Sequence, residues 1–243
     1  MAKRPFEGQV ALVTGAAKRI GRSIALKLAE EGADVVVNYG SSKKEAEAVV
    51  AEIAARGRRA VPWQADVSKR DEVRGMFAAV EREFGRLDIL VNNAGIFFGA
   101  RFEELTDEQW DRIMGANLKA HFLTCQAAAP LMRRQKKAHI INITSIGGLL
   151  PWPEFTHYCV SKAGAIMLTR CLARALAPEI RVNSVAPGTI QFEGEAVDQA
   201  YVRRAPLAKT GRGEDIADTV VFLAQSDFIT GQVIAVDGGR TLT

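Results

Sequence analysis

Val10-Ala11-Leu12-Val13-Thr14-Gly15-Ala16-Ala17-Lys18-Arg19-Ile20-Gly21 passes from four apolar residues, through a glycine, into a helical pattern. An unbroken apolar tetrad suits a strand buried on both faces. Glycine at a strand-to-helix turn lets the backbone approach a pyrophosphate, and the helix start adds amide donors and the positive end of its dipole. Ile20, Ile24 and Leu28 then recur every four residues, as on one face of a helix. The spacing Gly-x-x-x-Arg-x-Gly is not the Gly-x-Gly-x-x-Gly fingerprint, so a simple tight turn reads the same way.

Further short apolar runs follow at 34–38, 60–65, 87–92, 139–143, 181–185 and 233–236, each the length of a buried parallel strand. Helical patterns lie at 43–57, 107–136, 157–177 and 214–225, and Val73, Phe77, Val80 and Phe84 mark another. Thr106-Asp107-Glu108-Gln109 reads as a helix start with an acidic first turn. Pro130 is expected to kink or split 107–136. The alternation predicts an α/β fold, a parallel sheet with helices on both faces and right-handed crossovers. With no linker or internal repeat, residues 1–243 read as one domain. The least regular stretch is 187–213, rich in glycine and proline, with a short helix around 195–204. It reads either as a lid over a substrate site or as a variable surface loop.

Hydrophobic residues are 48% of the chain, enough for a large core and too many for disorder. The 32 basic and 28 acidic residues leave only +4, with no basic block, which argues against nucleic acid as a partner. Cys125, Cys159 and Cys171 are odd in number and lack Cys-x-x-Cys spacing, as expected of reduced thiols in a cytoplasmic protein. No metal site is expected. Met1-Ala2-Lys3-Arg4-Pro5 is basic but leads into no signal-peptide core, and no apolar run is long enough for a membrane span.

Tyr158 and Lys162 stand four residues apart, so a helix over 157–177 puts phenol and ammonium on one face. Ser145 lies thirteen residues before the tyrosine. A free tyrosine titrates near pH ~10, and a neighbouring ammonium is expected to lower that value. A serine hydroxyl can donate to a carbonyl oxygen or accept from an alcohol. Together they make a proton donor suited to a carbonyl that is gaining a hydride. Taken alone, Tyr-x-x-x-Lys also describes a core tyrosine beside a surface lysine.

The end of the second strand decides between NAD and NADP. An acid there would bind the ribose 2′-hydroxyl and repel a 2′-phosphate. This chain reads Asn38-Tyr39-Gly40-Ser41-Ser42-Lys43 instead. Ser41 and Ser42 can donate hydrogen bonds, and Lys18, Arg19 and Lys43 supply positive charge, so NADP(H) is expected. The two serines would equally cap the next helix.

With these residues in view, the chain resembles the short-chain dehydrogenase/reductase family along nearly its whole length. Residues 14–21 resemble its glycine motif, with Arg19 where a glycine is usual. Asp66-Val67 looks like its adenine-contacting pair. Asn92-Asn93-Ala94-Gly95 matches the motif that steadies the sheet and borders the cofactor. Asn117 stands where the family holds a water of a proton relay, and Ser145, Tyr158 and Lys162 match its catalytic trio. Asn183-Ser184-Val185-Ala186-Pro187-Gly188-Thr189 resembles the nicotinamide-side segment, and 229–239 the C-terminal signature. The resemblance implies a Rossmann-like sheet of seven parallel strands and a homotetramer or homodimer. One interface would use the helices at 107–136 and 157–177, the other the C-terminal strand region. It also implies that Ser145 fixes the carbonyl oxygen and Tyr158 delivers the proton. Lys162 would bind the nicotinamide ribose and lower the tyrosine pKa. Asn117 and Lys162 would resupply the proton through water.

Phe97, Phe98, Leu150, Trp152, Phe155 and Phe192 are expected near the mouth of such a site, or in the core. His157 is read as a helix-cap or exposed residue. Much of the chain resembles 3-oxoacyl-carrier-protein reductases, and Arg133, Arg134, Lys136 and Lys137 would suit either an acidic carrier or a solvated helix end. A general ketoreductase is the broader reading. The stretch 14–19 and the tail 238–243 also resemble pteridine reductases, which usually carry aspartate where this chain has Ser145. A non-catalytic NADP-binding regulator on the same fold is a further alternative.

Overall fold

The computed structural model describes residues 4–135 and 137–243, so Met1, Ala2, Lys3 and Lys136 lie outside the described residues. Seven strands form one parallel sheet: β1 Val10–Val13, β2 Asp34–Tyr39, β3 Ala60–Gln64, β4 Ile89–Asn92, β5 Ala138–Ile143, β6 Ile180–Pro187 and β7 Val233–Val236. Their spatial order is β3-β2-β1-β4-β5-β6-β7. The order reverses between β1 and β4, and ligands of such sheets bind at the carboxyl ends beside that reversal.

The helices are α1 Arg19–Glu30, α2 Lys43–Ala55, α3 Arg70–Phe84, α4 Asp107–Met114, α5 Ala120–Met132, α6 Thr156–Ala175, α7 Gln199–Arg204 and α8 Gly213–Gln225. Successive strand residues point to opposite faces. Ala11, Val13, Val35, Val37, Ile141 and Val185 therefore pack under α1, α2 and α8. Val10, Leu12, Val36, Leu90, Ile140 and Val182 pack under α3, α5 and α6. This two-sided burial explains why the strands read as continuous apolar runs. Truncating a core side chain such as the fully buried Leu12 to alanine would cost about 2–5 kcal/mol.

The helix predicted over 107–136 is divided, but not at Pro130. The hydroxyl of Thr106 accepts from the Gln109 amide at 3.3 Å and Gln109 Oε1 accepts from the Thr106 amide at 3.1 Å, which starts α4 where the sequence indicated. A π turn over Gly115–Lys119 then separates α4 from α5. Pro130 sits within the last turn of α5 and withholds one hydrogen bond from the Gln126 carbonyl, but the helix runs through it. Among the described residues, no helix is long and apolar enough to cross a membrane.

Candidate active site

Gly15 leaves β1 at φ +61°, and a side chain there would crowd Ala94 Cα at 3.0 Å. Gly21 has no room at all, because a Cβ would overlap the Gly15 carbonyl oxygen and come within 2.6 Å of Asn93 Nδ2. Asn93 closes this turn by donating to the carbonyls of Thr14 at 2.9 Å and Gly15 at 3.1 Å. The Thr14 hydroxyl accepts from the amides of Asn93 and Ala94. Asn38 Oδ1 accepts from the Gly15 amide at 3.2 Å, tying the turn to β2 as well. A cradle without side chains results. It opens on a cavity of about 950 Å³ lined by Gly15, Lys18, Arg19, Ile20, Gly21, Asn93, Ala94 and Gly95, and by Pro187, Gly188 and Thr189 from the far side.

Ser145, Tyr158 and Lys162 line the same cavity. Ser145 follows β5 and is buried, with its hydroxyl accepting from the Gly147 amide at 3.0 Å. Tyr158 and Lys162 come from successive turns of α6. The buried Lys162 Nζ donates to the carbonyl of Ile143 at 3.1 Å and lies 5.8 Å from the centre of the Tyr158 ring. Burial pushes the lysine pKa down to about 8. The tyrosine differs from expectation: burial raises its pKa above the ordinary value, and the facing Ser145 hydroxyl only partly offsets this. Desolvation of the phenolate outweighs the Ser145 hydrogen bond, and the lowering expected from the lysine is not realised.

Asn117 is fully buried on the π turn and does not line the cavity. Its side chain accepts from the Ile96 amide at 2.8 Å and donates to the Ile96 carbonyl at 3.0 Å and to Ser161 Oγ at 3.2 Å. It thereby ties the loop after β4 to α6 at the residue just before Lys162. Asn92 performs a similar task deeper down, donating to Asn142 Oδ1 at 2.9 Å and accepting from the Thr124 hydroxyl at 2.7 Å.

Several predicted residues lie outside this cavity or, like Lys18 and Arg19, line it while paired to other side chains. Asn38 and Tyr39 are buried: Asn38 donates to the carbonyls of Trp63 and Ala65, and Tyr39 joins the core under α1 and α2. Ser41 is exposed, and Ser42 occupies the N-cap position of α2 without a side-chain capping bond, so the capping role is not taken up. Lys18 pairs with Glu45 at 2.7 Å, Lys43 with Glu47 at 3.8 Å and Arg19 with Glu195. Asp66 accepts from the Ser68 amide and hydroxyl, while Val67 is buried under α3. His157 is not exposed but fully buried, with its ring 4.8 Å from that of Phe98. Of the residues assigned to the mouth, Phe97, Trp152 and Phe155 line the cavity. Phe98 covers His157, Leu150 packs beside Ile146 and Tyr201, and Phe192 lies under the Arg19 guanidinium at 4.5 Å. Arg133 and Arg134 precede β5, at the opposite end of that strand from Ser145, and Arg134 pairs with Glu81 at 2.5 Å.

Ile96, Thr144, Ile146, Asp198, Tyr201, Arg204 and Arg240 also line the cavity, and the sequence reading missed them. Ile96 and Thr144 directly adjoin motifs that were recognised. Tyr201 and Arg204 belong to the short helix expected within 187–213, and no local pattern marks them.

A family model described as Enoyl-(Acyl carrier protein) reductase matches residues 15–241. A 3-oxoacyl-[acyl-carrier-protein] reductase of Staphylococcus aureus is 46% identical over 237 residues, covering 94% of this chain and 96% of that protein. A second, from Synechocystis, is 42% identical over 240 residues, covering 96% and 97%. Among solved structures, a blue fluorescent protein from a metagenomic library, in complex with NADPH, superposes with a TM-score of 0.92 at 37% identity, covering 97% of this chain and 99% of that one. A Burkholderia xenovorans structure, described provisionally as a short-chain dehydrogenase/reductase, superposes with a TM-score of 0.91 at 32% identity, covering 97% and 98%.

Proposed function

We propose an NADP(H)-dependent carbonyl reductase activity for this chain, which belongs to the short-chain dehydrogenase/reductase family of oxidoreductases. The observation that carries the proposal is that Ser145, Tyr158 and Lys162 share one cavity with the glycine cradle at the carboxyl ends of the strands. The cradle fits a dinucleotide because Gly15 and Gly21 pack too closely for side chains and so present bare backbone to the cavity. Gly15, Lys18, Arg19, Ile20 and Gly21 would hold the pyrophosphate, Ser41 and Ser42 the 2′-phosphate, and Asp66 and Val67 the adenine. Asn93, Ala94, Gly95, Pro187, Gly188 and Thr189 would border the nicotinamide.

When bound, NADPH supplies the hydride. Ser145 orients the carbonyl oxygen of the substrate, and Tyr158 gives that oxygen a proton. The raised pKa leaves the tyrosine protonated at neutral pH but makes it a weaker acid than a free phenol. Lys162 is charged below about pH 8 and stabilises the phenolate that forms. Asn117 holds Ile96 and Ser161 in place and, with Lys162 and water, returns a proton to the tyrosine. The two reductases similar to this chain support a 3-oxoacyl thioester or a related ketone as substrate, free or carrier-bound.

NADPH oxidation with oxoacyl thioesters, simple ketones and dihydropterins tests the reading. Turnover of ketones or thioesters supports it, turnover of dihydropterins alone favours a pteridine reductase, and cofactor binding without any turnover favours a regulator. Tyr158→Phe should bind NADPH and lose turnover, and a near-normal kcat would overturn the tyrosine's role. A kcat/KM for NADH equal to that for NADPH would overturn the cofactor choice. Exposed Phe122, Val160 and Met167 on α5 and α6, and Phe228 before β7, support a homotetramer or homodimer, which light scattering tests. Free Cys125, Cys159 and Cys171 fit a reducing cytoplasm.

A further inference from the structure

We propose that the substrate subsite beside Tyr158 is a slot for a flat, conjugated carbonyl compound, such as an aryl ketone, in preference to a flexible acyl chain. The inference rests on the carbonyl-reductase reading and narrows its substrate. Four aromatic rings line one wall of the cavity. Phe97 and Phe155 stack with centroids 4.6 Å apart and planes 6° from parallel. Trp152 and Tyr158 are likewise parallel within 7°, at 6.1 Å. The two pairs meet edge to face, Phe97 on Tyr158 at 4.7 Å and Trp152 on Phe155 at 6.1 Å.

The backbone is cleared for this arrangement. A Cβ at Gly147 would come within 2.9 Å of Trp152 and 3.1 Å of Tyr158, and one at Gly99 within 3.2 Å of Phe155. Phe97 remains 59% exposed although it lines the cavity, so its apolar face is available to a ligand. Aromatic walls have few rotatable bonds and are already ordered. A flat ring gains roughly two- to tenfold in affinity from stacking beyond its area burial. A flexible chain gains no such term and loses rotor entropy on binding. In the reaction, hydride passes from NADPH to the carbonyl carbon and the Tyr158 proton to oxygen. The C=O π bond breaks, C–H and O–H bonds form, and the alcohol and NADP⁺ leave.

The test compares 1-tetralone, its saturated counterpart 1-decalone and acetoacetyl-coenzyme A. Binding to the enzyme–NADP⁺ complex is measured by calorimetry, and turnover with NADPH by absorbance. Tetralone should bind about tenfold tighter than decalone, and Phe97→Leu and Trp152→Leu should each remove most of that ratio. Equal binding of the two ketones, binding of neither, or an unchanged ratio in both folded variants would overturn the slot. If acetoacetyl-coenzyme A is turned over while the ketones bind equally, the slot fails and the reductase reading stands. Tight tetralone binding with no turnover of any carbonyl keeps the slot and overturns the reductase reading.

Discussion

The phenolic hydroxyl of Tyr201 donates to the carbonyl oxygen of Asp237 at 2.5 Å and so pins α7 to the end of β7. The Tyr201 hydroxyl oxygen occupies the space that a side chain on Gly188 would need, and a Cβ there would also lie 2.9 Å from Asp237 Cα. Gly188→Ala is therefore expected to displace α7, cost about 1–3 kcal/mol in urea unfolding and raise the KM for NADPH. Tyr201→Phe keeps the ring and removes one of two hydrogen bonds to the Asp237 carbonyl, which still accepts from the Arg240 amide at 3.1 Å, at a cost of about 0.5–1.5 kcal/mol. If Tyr201→Phe matches the parent in both stability and KM, the contact does not hold the segment in place.

Arg19 stands at φ +53°, in the left-handed region that costs a residue with a side chain roughly 1–2 kcal/mol. Its guanidinium lies over Phe192 at 4.5 Å and pairs with Glu195, linking the glycine turn to the 187–213 segment. Arg19→Gly relieves the strain but releases the tether, and the exposed ion pair contributes only about 0–1 kcal/mol. Thermal stability should therefore stay level or rise slightly while the KM for NADPH increases several-fold. A variant with lower stability and unchanged KM would show that Arg19 serves the fold alone.

Carbonyl reduction should lose rate on the alkaline side. Burial holds the Lys162 pKa at about 8, against an ordinary value of 10.5, so its charge is lost well before that of a surface lysine. Tyr158, raised by burial, keeps its proton across this range. The kcat for reduction is expected to fall as pH rises through about 8, and Lys162→Arg, always charged, should remove that limb in whatever activity it retains. A rate that stays flat to pH ~10 would mean that the lysine charge plays no part in proton delivery.

How much could be read from the sequence depended on whether an element's partners were local. The runs at 10–13 and 233–236 match β1 and β7 to the residue; burial on both faces writes β1 as continuous apolar sequence, whereas β7, at the sheet edge, is apolar but only partly covered. Ser145, Tyr158 and Lys162 were legible because helical spacing alone brings two of them together. The π turn at Gly115–Lys119 was not, since it accompanies hydrogen bonds from Asn117 to Ile96 and Ser161, both distant in sequence. Tyr201 was invisible for the same reason: its partner Asp237 lies on another element. The sequence offers His157 as a helix-cap or exposed residue because its covering ring, Phe98, comes from the loop after β4.

Acid should unfold this protein through histidines that are buried uncharged. His121 on α5 is fully buried, and neither ring nitrogen has a hydrogen-bond partner among the described residues. Burial, reinforced by the charge of Lys162, lowers its pKa to about 3 from 6.5. His139 is likewise lowered to about 3, chiefly by burial. Above pH 6.5 these groups are neutral in both folded and unfolded chains and do not affect the balance. Between 6.5 and about 3 the unfolded chain takes up their protons and the folded chain does not, so stability falls as pH falls. Each such histidine contributes about 1.4 kcal/mol per pH unit once the pH is well below its unfolded value. His121→Leu replaces an unpaired polar ring in a buried site, so it should leave stability at neutral pH level or higher. It should also flatten the decline on acidification by about 1.4 kcal/mol per pH unit, read from urea midpoints at pH ~7, ~6 and ~5. An unaltered slope in this variant would show that His121 gains a proton in the folded state as readily as in the unfolded one.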